Sequence, residues 1–148
     1  MEANPGRVND KDSNNITILH IAVLTLESLS LVGWLIDERG ADMNAWSGTT
    51  IRFTPLHVVK SVDILTALLE RGADPTHSTN WAYSALTFQV YRGGVDKVAR
   101  LLQYPRVRAT VNLKQPSSGK TALHFACTYS NEIRATAVVR FLLQAGAD

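Results

Sequence analysis

Residues 54–74 read TPLHVVKSVDILTALLERGAD, and this stretch decides the fold. Thr54 offers a side-chain oxygen to cap a helix, and Pro55 follows at the first helical position, where a missing N–H costs nothing. Leu56 and Val59 make one apolar turn. Ile64, Leu65, Leu68 and Leu69 then recur at the spacing of a single helical stripe. Gly72 can close the second helix, because glycine takes the left-handed conformation without steric cost. A short helix, a tight turn and a second helix form a hairpin too small to bury its own apolar face. Such a hairpin needs neighbours.

The pattern returns three more times. Thr17-Ile18-Leu19-His20 leads to Leu35-Ile36 and Gly40-Ala41-Asp42; Ser84-Ala85-Leu86-Thr87 leads to Leu101-Leu102; Thr121-Ala122-Leu123-His124 leads to Leu142-Leu143 and Gly146-Ala147-Asp148. These units resemble ankyrin repeats, whose signature is T-P-L-H-x-A followed by a second helix and a hairpin. The resemblance implies an all-α solenoid of stacked helix-turn-helix units with short β-hairpin fingers. One array is expected over residues 1–148: a leader or finger of a preceding repeat at 1–16, then repeats at 17–52, 53–83, 84–119 and 120–148.

Bulk composition fits such an array. At 45% hydrophobic and 19% charged residues, the chain has an ordinary globular balance. The first fifteen residues, with Arg7, Asp10, Lys11 and Asp12, lack the apolar core of a secretory signal. The most apolar window, residues 16–36, contains His20, Glu27, Ser28 and Ser30, so no membrane span is expected. A single cysteine, Cys127, leaves no internal disulfide framework and no multi-cysteine zinc site. An intracellular location, cytoplasmic or nuclear, is the expectation. Charge is uneven: up to Pro75 there are six Lys/Arg against ten Asp/Glu, and from Thr76 onward nine against three, or about −4 and +6.

The repeats depart from the family pattern in ways that carry structure. Asn15 stands where the leader finger usually has glycine, and asparagine is the best substitute at positive φ. In repeat one, Ile18, Ile21, Leu24, Leu29 and Trp34 add apolar side chains outside the main stripe and call for further cover; Trp34 either packs under a neighbouring segment such as the leader or marks an exposed binding patch. Repeat two is compressed: Thr54 to Gly72 is 18 residues where about 21 are usual, which predicts a truncated first helix. In repeat three Gln89 replaces the small alanine and is predicted to be a buried polar group in need of a partner. Pro105 replaces the terminating glycine and stops the second helix. Repeat four ends at Asp148 without a polar capping repeat, so the chain is expected to be part of a longer protein.

No catalytic, cofactor or metal constellation emerges. His20, His57 and His124 each hold the fourth place of their own motif, so they are spread one per repeat, whereas a metal needs ligands at one point. The resemblance implies that this histidine bonds the motif threonine and a neighbouring turn. Cys127 replaces a core alanine and is expected to be a buried, inert thiol. Gly119-Lys120-Thr121 carries the tail of a phosphate-loop motif, but Lys114 occupies the place of the upstream glycine.

That leaves surfaces. The resemblance implies a protein or peptide partner on a concave face made by fingers and first helices. The fingers, at 43–52, 75–83 and 111–120, contain the residue types enriched at interface hot spots. Trp46, Arg52, His77, Trp81, Tyr83, Tyr91 and Arg92 are the expected partner-binding set, with Trp81 and Tyr83 alternatively packing between fingers. The expected function is a monomeric, non-enzymatic interaction scaffold. Two rivals stand beside it. One is a targeting arm of a larger enzyme or effector. The other is an anionic partner met by Arg92, Lys97, Arg100, Arg106, Arg108, Lys114 and Lys120, although Lys97 and Arg100 belong to a second helix and nucleic acid is not expected.

Overall fold

The computed structural model describes residues 7–129 and 131–148. The first six residues of the leader, and Ser130 in the last inter-helix segment, lie outside the described residues. The chain divides into two compact units, Met1–Asp74 and Pro75–Asp148, and each is built from paired helices.

In the first unit, α1 (Ile18–Ile21) starts after Thr17 and widens into a π turn over Ala22–Leu26. No glycine stands here to end the helix; Glu27 takes the left-handed conformation instead, at φ 47°. Ser28 then caps α2 (Leu29–Asp37) by accepting from the Leu31 amide. The second pair shows the predicted compression. α3 (Pro55–Val58) is a single turn, Val59 is already extended, and Ser61 caps α4 (Val62–Glu70). α1 and its π turn pack on α3, and α2 packs on α4. Leu19, Val23, Val32, Leu35, Leu56 and Ile64 are buried, each worth roughly 1.5–3 kcal/mol relative to exposure. Across the rim, Asp37 at the end of α2 meets the Arg71 guanidinium at 2.9 Å. That hydrogen bond holds the Asp37 carboxyl below its ordinary range.

The second unit holds α5 (Ala85–Tyr91), α6 (Val95–Leu101), α7 (Pro105–Arg108), α8 (Ala122–Tyr129) and α9 (Glu132–Gln144). α5 packs on α8, and α6 on α9. Ser84 and Asn131 cap α5 and α9 by accepting from Thr87 N and Arg134 N. Gln89 is buried, as its place in the motif predicts. Pro105 does more than stop a helix. α6 has ended at Leu101, and Pro105 opens α7, where its fixed φ suits a first helical position. The long connection to repeat four thus contains a helical turn, anchored by buried Val107.

The fingers are thinner than β-hairpins. Among the described residues they are joined only by single antiparallel bridges, Ser47 with Phe53 and Ser78 with Ser84. The pairing cannot extend, because Thr54 and Ser84 already serve as helix caps. Asparagines tie fingers to helix ends: Asn9 donates to Gly40 O and accepts from Asp42 N, and Asn112 does the same with Gly146 O and Asp148 N. These bonds satisfy backbone groups of the Gly-Ala-Asp turn that follows each helix. Asn15 sits at φ 59°, as its place in the leader finger predicts.

Two expectations about cover need correction. Cys127 is exposed rather than a core thiol, because no helix pair among the described residues lies over its side of α8. Ile18, Ile21 and Leu29 are exposed as well; Trp34 takes the exposed one of its two alternatives, with the Arg39 guanidinium 5.4 Å from its ring centroid. Among the described residues, no helix is long and apolar enough to cross a membrane.

Candidate functional site: two clefts between fingers

The motif histidines are structural. Thr17 Oγ1 lies 2.8 Å from His20 Nδ1, and His20 Nε2 lies 3.1 Å from the Phe53 carbonyl. A carbonyl only accepts, so Nε2 carries the proton and Nδ1 accepts from the threonine hydroxyl. Burial pushes the His20 pKa below its ordinary value, which keeps this neutral tautomer in place. His57 and His124 repeat the threonine bond, with Thr54 and Thr121, each at 2.9 Å. Among the described residues no group of His, Cys, Asp and Glu could hold a metal ion.

Each unit instead has a cleft between neighbouring fingers that a tryptophan lines. In the first unit a cleft of about 390 Å³ is lined by Lys11 and Asn15 of the leader finger and by Trp46, Gly48, Thr49 and Arg52 of the next. The Gly48 amide donates to Asn14 O at 3.1 Å and holds the two fingers together. Gly48 is required where it stands. Its φ is +84°, and any Cβ would run into the Ile51 carbonyl. Trp46 is half-buried with its ring 6.5 Å from His57, and Arg52 is exposed at the rim.

In the second unit the cleft measures about 460 Å³ and is lined by Asn80, Trp81, Tyr83, Gln115, Pro116 and Ser117. Thr79 shapes its near wall: its hydroxyl accepts from the amides of Trp81 and Tyr83, and its carbonyl accepts from Ala82 at 2.8 Å. Ala82 is thereby held at φ 57°, a strained place for a residue with a Cβ. This tight turn turns the Trp81 side chain outward, where it is exposed. From the far wall, Gln115 Nε2 donates to the Trp81 carbonyl at 3.3 Å.

The seven expected contact residues divide accordingly. Trp46 and Arg52 line the first cleft, Trp81 and Tyr83 the second. Tyr83 also packs, with ring centroids 5.4 Å from Phe125 and 6.3 Å from Tyr91, so it is both wall and support. Tyr91 is exposed beside it. His77 and Arg92 line neither cleft; the Arg92 guanidinium lies over the Phe88 ring at 5.7 Å. Other linings, Lys11, Asn15, Gly48, Thr49, Gln115 and Pro116, escape a reading that looks for aromatic and arginine residues. Their signal is position alone, since each falls in a finger or in the leader that resembles one.

A family model described as ankyrin repeats, in three copies, matches residues 56–148. A second, described as ankyrin repeat, matches residues 14–47.

Proposed function

The chain belongs to the ankyrin repeat family, and from that membership we propose that it is a non-enzymatic recognition module holding a protein or peptide in its finger clefts. Ankyrin repeats are generally protein–protein interaction modules. The observation that carries the finer reading is the exposed Trp81, displayed by a strained turn over a cleft walled by Tyr83 and Pro116. A rigid aromatic presented over a preformed recess is the usual anatomy of an interface anchor. The first cleft adds Trp46 in a lining shared with Lys11 and Arg52, whose charge suits an acidic partner.

Affinity capture with the chain, followed by identification of bound proteins, tests this reading. Trp46→Ala and Trp81→Ala variants are compared with the parent, with helicity checked by circular dichroism. Loss of a specific partner at unchanged helicity is the expected result. An identical set of partners for all three proteins would overturn the assignment to the clefts.

A further inference from the structure

The backbone around the second cleft is already engaged. On the near finger, the amides of Thr79 and Ala82 donate to the carbonyls of Tyr83 and Thr79, and those of Trp81 and Tyr83 donate to the Thr79 hydroxyl. The Trp81 carbonyl accepts from Gln115. On the far finger, the amides of Gln115, Ser118, Gly119 and Lys120 donate within the finger, and Pro116 has none to give. An added strand binds through main-chain hydrogen bonds, so these edges leave it little to pair with. Recognition falls instead to side chains: the rings of Trp81, Tyr83 and Pro116, and the amides of Asn80 and Gln115. An indole only donates. The Gln115 side-chain oxygen already accepts from Ser118 at 2.5 Å, whereas its Nε2 has a second hydrogen beyond the one given to Trp81. The cleft therefore presents ring faces and donors more than acceptors.

Resting on the reading of this cleft as a recognition site, we propose that its occupant is a proline-rich segment in the polyproline II conformation, flanked by acidic residues. Such a segment is the chemical complement of the lining. Its prolines bring apolar rings to lie against Trp81 and Tyr83, carbonyls that accept, and no N–H that the cleft would have to satisfy. It is extended before it binds, so it loses little conformational freedom. The cleft is set beforehand as well, by the Thr79 bonds, by Ala82 at φ 57° and by the Gln115–Trp81 tie. Charge selects the flanks. The near finger, 75–83, has no Asp, Glu, Lys or Arg, and residues 97–131 carry six Lys/Arg and no Asp or Glu. Lys114 and Lys120 belong to the far finger itself. The Lys120 ammonium lies 5.8 Å from the centroid of the Phe125 ring, which packs on Tyr83. A Trp–Tyr recess also suits a quaternary ammonium, but basic surroundings repel that cation and favour carboxylates beside the aromatic centre.

Proton–nitrogen correlation spectra of the isotope-labelled chain test the proposal. Trp34, Trp46 and Trp81 give three indole N–H signals, and Trp81→Phe identifies the one at the cleft; Trp81 is exposed, so the fold tolerates the change. The probes are a decaproline peptide with glutamates at both ends, the same peptide with lysine ends, and a glutamate-ended glycine–serine peptide of equal length. The glutamate-ended decaproline is expected to shift the Trp81 signal saturably and to leave that of Trp34 in place. With lysine ends the affinity is expected to fall about threefold or more at low salt, the size of one or two exposed ion pairs, and the difference to shrink in high salt. An unmoved Trp81 signal, equal binding of the glycine–serine peptide, or tighter binding of the lysine-ended one would overturn the proposal. The wider reading is measured separately. A captured partner that needs Trp81, but that saturating glutamate-ended decaproline does not displace, would leave recognition at the cleft standing and reject its proline-rich occupant.

Discussion

His20 and His124 hold the same place in the same motif, yet one is buried and the other exposed. Both meet the threonine three residues back, at 2.8 and 2.9 Å. Among the described residues His20, unlike His124, has a later helix pair over it and reaches a neighbouring carbonyl with its second nitrogen. The motif therefore sets a local turn, while burial is set by the next repeat. The same difference separates Val90 from Cys127 and Leu102 from Leu143.

The sharpest way to break this comparison is to delete both rings. His20→Ala is expected to lose about 3 kcal/mol, through a buried cavity and a lost pair of hydrogen bonds, whereas His124→Ala loses under about 1 kcal/mol. Urea denaturation measures both, and equal losses would contradict a burial set by the neighbour. Two finger glycines extend the contrast. Gly48→Ala meets the Ile51 carbonyl and is expected to cost about 2 kcal/mol or more, whereas Gly119→Ala, at φ 67° in open space, costs about 1 kcal/mol. A smaller and more even effect is expected from the finger asparagines. Asn9 and Asn112 make the same two bonds, and neither waits for a later repeat. Each Asn→Ala change is expected to lose about 1 kcal/mol, and a marked inequality would show that the ties are not equivalent.

The gentlest probe is pH. Burial lowers the His20 pKa, so below about pH 6.5 the unfolded imidazole takes a proton that the folded one resists. Stability is then full above that value and falls as pH drops toward the folded pKa. Denaturation midpoints at neutral and mildly acidic pH are expected to separate more for the parent than for His20→Gln. Identical separations would remove His20 as the source.

Much of the fold was legible in single residues. The Thr-x-Leu-His places and the leucine pairs located the helix pairs, the missing residues of repeat two marked the one-turn α3, and Asn15 marked a positive φ. What was not legible depended on the absence of a usual signal or on cover from elsewhere. The π turn over Ala22–Leu26 ends at a glutamate in a left-handed conformation, which no local rule for glutamate suggests. Pro105 is equally good at ending one helix and starting another, and only the early end of α6 decides between them. Cys127 reads as core because its counterparts are core. The finger aromatics were visible at once, but not the polar residues across each cleft, which are brought in by the register of neighbouring fingers.

We propose that the chain grips its partner through the fingers, with Trp81 as anchor. The most direct measurement is the calorimetric affinity of a captured partner for the parent and for Trp81→Ala. A loss of at least about tenfold, or about 1.4 kcal/mol, is expected at unchanged helicity. Equal affinity for the two proteins would contradict it.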